Sequence, residues 1–379
     1  MAEFTVLGDA VIKALLLDLS KDEIEYFLKE LEDCLITFSR GKERQYQPKA
    51  GIINRPDGQK VLFRPFTSSE TVGAKIIVHP APIPKDSGSS LDNEAKQQLP
   101  LHGTLVLCNK YGLPTGFLNA AEVTGYRTSL SAMVPFVSRL HTSKIVVFGA
   151  GKQALWHTRL ALALRGADIN LITIVNRSEP RARELISTVR EENEERWKSP
   201  GKFEFLNSSQ GKSDEKIQLR LADADAIFCT VASQTPLFSL QSLALETRRG
   251  RYPLITAVGS WQSDMIEVHP AILQRVIKSN GFNVPGDTPG AVLVDDAEAS
   301  LIHSGEIVQS GLEMSEMLEI GNILHLKRNS DLTNDQSAWL AEGLIVYKSI
   351  GVSTTDLAAG NAILALAERK KLGTRVSGF

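Results

Sequence analysis

The feature that most constrains this chain is a turn. The apolar run Ile145-Val146-Val147-Phe148 leads straight into Gly149-Ala150-Gly151-Lys152-Gln153-Ala154, and Leu155, Leu160, Leu162 and Leu164 follow in a helix-type pattern. A strand, a G-x-G-x-x-A turn and a helix in that order make the first βα unit of a doubly wound sheet. Gly149 permits the tight turn, Gly151 leaves room for backbone to approach a pyrophosphate, and Ala154 lets the helix pack close to the strand. The helix start also offers unsatisfied N–H groups to an anion. Beyond the turn, strand and helix patterns keep alternating. Ile169 to Val175 reads as a strand, a charged helix begins near Glu179, and 203–206, 226–231, 254–258 and 292–294 read as further strands. Such alternation predicts an α/β fold with a Rossmann-type parallel sheet covered on both faces.

The end of the second strand bears on which dinucleotide fits. An NAD-selective site places an Asp or Glu there to hold the ribose hydroxyls. This chain has Asn176-Arg177-Ser178 instead. No carboxylate repels a 2′-phosphate, and Arg177 can pair with one through charge-assisted hydrogen bonds. NADP(H) is therefore expected over NAD(H). The same three residues also suit a polar turn that caps the helix at Glu179-Pro180.

The flanks have a different texture. Ser20-Lys21-Asp22-Glu23 has capping-box spacing, and Ile24, Phe27, Leu28, Leu31, Leu35 and Phe38 recur at helical intervals up to Gly41. Short β-type runs occupy 61–63 and 75–78, residues 83–99 read as an exposed polar loop, and 104–107 with 115–118 suit a hairpin. The C-terminal part returns to helix-type patterns over 338–350 and 355–371. At roughly 150 residues per domain, 379 residues suggest two or three domains. Forty-two Lys and Arg against 44 Asp and Glu give a net charge of −2, which argues against a nucleic-acid binder. The three cysteines, Cys34, Cys108 and Cys229, are far apart and odd in number, so a reducing, cytoplasmic setting is expected. No basic segment precedes a long apolar run at the start, and no apolar stretch approaches about 18 residues, so neither a signal peptide nor a membrane span is expected. The histidines lack ligand spacing, so no metal site is expected. Ser233 and Ser260 lack a G-x-S-x-G frame, which leaves serine-hydrolase chemistry unsupported.

Four motifs in order give the chain a resemblance to the ornithine cyclodeaminase/mu-crystallin family. Thr124-Gly125-Tyr126-Arg127-Thr128 is similar to that family's T-x-x-R-T helix ahead of the nucleotide fold. Thr230-Val231-Ala232-Ser233 and Ala257-Val258-Gly259-Ser260 resemble its cofactor-side strand ends. Asp295-Asp296 through Gly305-Glu306-Ile307 resembles its D-D … G-E-I stretch, and Lys348-Ser349-Ile350-Gly351 with Asp356 to Ala359 its C-terminal signature. The resemblance implies a homodimer of two-domain subunits, with 127–324 as the Rossmann domain inserted into a substrate and dimerisation domain made of 1–126 plus 325–379.

It also implies hydride transfer between a nicotinamide and the α-carbon of an imino or amino acid. Lys75 and Arg127 match the catalytic positions. Physically, an imino acid needs a cation for its carboxylate and an orienting or proton-giving group near the C=N nitrogen. Arg127 suits the carboxylate, Lys75 suits either task, and Lys49 and Arg64 supply further cations. The cofactor set comprises Thr104, Gly149, Ala150, Gly151, Gln153, Ala154, Asn176, Arg177, Ser178, Thr230, Val231, Ala232, Val258, Gly259, Ser260, Ser349 and Gly351. There are departures from the family pattern. Where cyclodeaminases carry a catalytic Asp after the A-V-G strand, this chain has Trp261, with Asp264 three residues on. Trp261 cannot take a proton, but it can wall a pocket and stack on an unsaturated ring. Lys49 stands where the family has an arginine, and Phe63-Arg64-Pro65 replaces a Met-Pro. The expected activity is an NADP(H)-dependent imino-acid reductase. The alternatives are a cyclodeaminase and a non-catalytic small-ligand binder of the crystallin type.

Overall fold

The computed structural model describes residues 3–81, 102–210, 215–248, 250–278 and 291–379. The expected loop 83–99 lies outside the described residues. The chain folds into two compact units. One comprises Met1–Leu19, Lys42–Thr124 and Ser353–Phe379, the other Ser20–Gly41 and Gly125–Val352.

The first unit is built on a seven-stranded sheet. Its strands are β1 (Glu3–Leu7), β2 (Gly51–Asn54), β3 (Lys60–Thr67), β4 (Thr71–His79), β5 (His102–Asn109), β6 (Pro114–Asn119) and a C-terminal strand, Thr374–Ser377. The C-terminal strand lies at one edge, followed by β1, β6, β5, β4, β3 and β2. Among these strands only β1 and β6 pair in parallel. Successive side chains alternate between faces. Leu62, Phe66, Ile77, Leu105, Leu107 and Leu118 fall on one face and are buried. The helix Ser353–Arg369 covers it, so closely that a Cβ on Gly360 would lie 2.9 Å from both Leu105 and Leu107 side chains. The opposite face presents Phe63, Val72, Ile76 and Phe117, each about two-fifths exposed (37–41%).

The second unit holds eight parallel strands: β7 (Lys144–Phe148), β8 (Leu171–Asn176), β9 (Lys202–Asn207), β10 (Ala226–Cys229), β11 (Leu254–Ala257), β12 (Val292–Val294), β13 (Met317–Glu319) and β14 (Ile345–Lys348). Their order is β13-β12-β14-β11-β10-β7-β8-β9. Every residue of β10, β11 and β14 is buried, the continuous pattern of strands covered on both faces. The order runs outward in both directions from the neighbours β7 and β10, which makes a topological switch point there. The helix Lys21–Arg40 belongs to this unit. Its Ser20–Glu23 capping box forms as the spacing predicts, with the Ser20 hydroxyl accepting from the Glu23 amide at 3.2 Å and the Glu23 carboxylate from the Ser20 amide at 2.9 Å. Its apolar stripe packs on the helix Ile320–Arg328, and Phe27, Tyr126 and Trp156 meet edge to face at 5.8 and 5.2 Å.

Two expectations are corrected. The helix expected over 338–350 is instead a helix, Asn334–Glu342, followed by β14. Gly343 ends the helix, and the β-branched and aromatic run Ile345-Val346-Tyr347 is paired between β11 and β12. That pairing also moves the expected domain boundaries. Residues 325–352 stay with the parallel sheet, and 20–41 join them, because the amphipathic helix buries its stripe there. The strand β1 and the helix Asp9–Leu17 had no counterpart among the elements expected from the sequence.

Candidate functional site

The turn that follows the first strand of the second unit starts where β7 stops. Gly149 has φ +112°, and a Cβ there would lie 2.6 Å from the Thr230 hydroxyl. Only glycine fits both the angle and the space. The Thr230 hydroxyl donates to the Phe148 carbonyl at 2.7 Å, tying the end of β10 to the turn. Gly151 is the N-cap of the helix Lys152–Arg165 and brings no side chain to that cap. The first-turn N–H groups therefore face an approach that a side chain does not block. Ala154 is fully buried against the sheet, and Gln153 accepts from the Ser129 hydroxyl at 3.3 Å. Gly149, Ala150, Gly151 and Ala154 thus form the strand–turn–helix junction that the spacing predicts.

At the end of β8 the Asn176 amide donates to the Ser178 carbonyl at 2.8 Å, so Asn176 shapes the turn. Ser178 occupies the N-cap of the helix Glu179–Glu192, but its hydroxyl makes no capping bond. Arg177 is exposed at the same strand end.

The exits of β10 and β11 are held by a group that sequence reasoning missed. Glu267 is fully buried, and its carboxylate accepts from the amides of Val231 at 2.7 Å, Gly259 at 2.7 Å and Ser260 at 3.1 Å. Glu306 accepts from the Glu267 amide at 2.7 Å and from the Ser260 hydroxyl. Lys348 donates to the Ser260 hydroxyl at 2.5 Å and stands 3.7 Å from Glu306. Burial pushes the Glu267 carboxyl up to about 7, with Glu306 adding to the shift and Lys348 opposing it. Burial also raises Glu306, but Lys348 and the Ser260 hydroxyl outweigh it and hold that carboxyl below its ordinary value. Ser349 and Gly351, expected on the cofactor, lie in the turn after β14. The Ser349 hydroxyl and the Gly351 amide donate to buried Asp295 at 2.6 and 2.8 Å. These bonds shape the turn after β14. A lone Glu between Ile266 and Val268 was the only sequence sign of Glu267.

In the first unit Lys75 is 1% exposed on the buried face of β4. Its ammonium donates to Asp356, itself 0% exposed, at 2.5 Å. Arg64 sits directly opposite Lys75 in the β3–β4 ladder, so both side chains share a face. His79, two positions along that face, is held below its ordinary value by burial and by the charges of Lys60 and Lys75. Lys49 is exposed just ahead of β2. Thr104 lies in β5 opposite Ile76, on the other face from Lys75. Arg127 and Trp261 belong to the second unit. Arg127 is buried, and its charge acts on the Tyr347 hydroxyl of β14. Trp261 is half-buried in the loop after β11, and Asp264 is exposed in the following turn. The structure therefore brings Lys75 and Arg64 together, and Asp356 joins them. Among the described residues no three His, Cys, Asp or Glu side chains are grouped to hold a metal ion, and no helix is long and apolar enough to cross a membrane.

Comparison with known proteins agrees with this architecture. A model of the shikimate/quinate 5-dehydrogenase family matches residues 133–256, which run from the helix before β7 into β11. An uncharacterized cyclodeaminase of Dictyostelium discoideum is 25% identical over 345 residues, covering 86% of this chain and 85% of the relative. The Thermococcus litoralis Δ1-pyrroline-2-carboxylate reductase, solved with NADH and L-proline, superposes with a TM-score of 0.72 at 18% identity over 98% of this chain and all of its own. A lysine cyclodeaminase superposes equally well, at a TM-score of 0.72 and 18% identity, over 100% of this chain and 96% of its own. The chain thus has the fold of the ornithine cyclodeaminase/mu-crystallin family, the family that its sequence motifs resemble.

Proposed function

We propose that this chain is an NADP(H)-dependent oxidoreductase that acts on the C=N or CH–NH bond of a small anionic imino or amino acid. The observation that carries the reading is the buried Lys75–Asp356 pair beside Arg64, in a chain that also has a dinucleotide cradle. A buried ion pair is a poor stabiliser compared with well-packed apolar side chains, so its presence among the buried leucines of this sheet face suits chemistry better than stability. The nicotinamide, when bound, supplies or accepts the hydride. Arg64 and Lys49 of the first unit and Arg127 of the second are the cations that suit the substrate carboxylate. Lys75 orients the nitrogen and delivers a proton to it, because reduction of C=N leaves charge on that nitrogen. Asp356 accepts from the Lys75 ammonium and holds it in place. Arg177, without a carboxylate at 176–178, supports NADP(H) as the dinucleotide.

A cyclodeaminase is the second reading, favoured by the relative in Dictyostelium discoideum. Trp261 and the exposed Asp264 weigh against it, since neither offers a buried carboxylate in the loop after β11. The apolar outer face of the seven-stranded sheet, with Phe63, Val72, Ile76 and Phe117, supports a homodimer. The free thiols Cys34, Cys108 and Cys229 support a cytoplasmic setting. A panel of cyclic and linear ketimines and α-amino acids, assayed with NADPH and NADH, tests the proposal. NADPH consumption with a ketimine is expected. Ammonia release from ornithine without net cofactor turnover would support the cyclodeaminase. Binding of ketimines without turnover would support the crystallin-type reading.

A further inference from the structure

The buried polar cluster at the exits of β10 and β11 does more than fill a core. Three backbone amides converge on the Glu267 carboxylate. The chain leaving β10 supplies the Val231 amide, and the chain leaving β11 supplies those of Gly259 and Ser260. The segment carrying Glu267 lies along the first of these exits. The Ile266 amide donates to the Ser233 carbonyl, the Leu237 amide to the Glu267 carbonyl, both at 2.7 Å, and Phe238 bridges Val268. Space is tight enough that a Cβ on Gly259 would stand 2.5 Å from the Val231 nitrogen and 2.6 Å from the Glu267 carboxylate. The far side of the cluster is closed by Glu306, which accepts from the Glu267 amide and the Ser260 hydroxyl, and by Lys348, which donates to the Ser260 hydroxyl. A Cβ on Gly305 would fall 2.0 Å from the Met265 carbonyl, so the helix carrying Glu306 is seated against the same loop.

We propose that Glu267 is the positioning residue of the dinucleotide site: one carboxylate fixes both strand exits, and Glu306 and Lys348 hold that carboxylate in place. This rests on the reading that 230–232 and 258–260 line the dinucleotide. An apolar core would serve stability as well or better, whereas a carboxylate that accepts from three amides fixes the direction of two loops at once. Glutamine at this position keeps the shape, but its amide nitrogen meets backbone donors instead of accepting from them.

The test uses the full chain and NADP+ as probe. Calorimetric titration should give an E267Q dissociation constant raised by about tenfold or more, the loss expected when hydrogen bonds to a charged group are broken. Its kcat at saturating dinucleotide should stay within about threefold of the unaltered chain, because the reacting groups are untouched. Amide exchange at Val231, Gly259 and Ser260 should accelerate in E267Q while the β7 amides stay protected. If E267Q does not fold, E306Q serves instead, because Glu306 accepts from the Glu267 amide and its replacement loosens the same carboxylate; the same weakened affinity with retained kcat is expected. A variant that folds and binds NADP+ with unaltered affinity overturns the proposal. Failure of the unaltered chain to bind any nicotinamide dinucleotide would instead overturn the proposed function, so the two failures are distinct.

Discussion

Lys75 and Asp356 show why a buried charge is informative at the scale of single residues. Removing one partner leaves the other charged and desolvated, a loss of about 3–5 kcal/mol. Asp356→Asn should therefore lower both thermal stability and turnover. The double replacement Lys75→Met with Asp356→Leu should recover most of the stability, because apolar side chains of similar volume suit that sheet face, yet it should have no turnover. Melting curves and activity measured side by side check this; turnover in the double variant would remove Lys75 from the chemistry. Arg177→Ala should weaken NADP+ binding by about tenfold or more and leave NAD+ nearly unchanged, the loss of one charge-assisted contact to the 2′-phosphate. Titration with both dinucleotides reads the difference. Lys75 was visible in the sequence as a cation at a family position, Arg64 as a departure from the family pattern and Arg177 as a cation at a strand end. The partner of Lys75 was not, because Asp356 lies 281 residues away and nothing local marks the pairing.

At the scale of elements, local rules were read well where the determinants are local. The Ser20 capping box, the turn at Gly149 and the 104–118 hairpin each depend on a few adjacent residues, and each forms. The strand β14 was misread as helix because its identity depends on two distant strands that flank it. Glu267 was missed for the same reason: its donors converge only once β10 and β11 lie side by side. Gly149→Ala should cost about 1–3 kcal/mol through its positive φ and abolish dinucleotide binding, since the Cβ would press on Thr230. A pH prediction belongs to the helix after the turn. Burial pulls His157 down to about 4 from an ordinary 6.5, partly offset by its bond to the Gln153 carbonyl. The unfolded chain therefore binds the extra proton first, and stability is present above pH 6.5 and lost as pH falls toward 4, by about 3 kcal/mol in all. Glu267 acts oppositely. Its raised value makes folding most favourable below pH 4.5, and that contribution fades as pH rises through about 7, in the company of Lys348, Glu306 and the buried Cys229 thiol. Melting of H157N and of the unaltered chain from pH 7 to 4 should converge as the pH falls; parallel curves would contradict the assignment.

At the scale of the whole molecule, a net charge of −2 conceals local cations at Lys49, Arg64, Lys75, Arg127 and Arg177, which suit an anionic substrate and a phosphorylated cofactor. The two units were legible as two textures. Their boundaries were not, because each unit is assembled from segments distant in sequence. Ile76→Glu with Phe117→Glu places two charges on the apolar sheet face and should split the proposed homodimer into monomers in sedimentation at micromolar concentration, leaving the fold intact. The proposed function rests on net hydride transfer to an imino-acid carbon. The most direct measurement supplies NADPH deuterated at the transferable position together with a ketimine acid and weighs the amino-acid product. One deuterium in each product and one dinucleotide oxidised per turnover are expected. An unlabelled product, or ammonia release with the dinucleotide unconsumed, would contradict that chemistry.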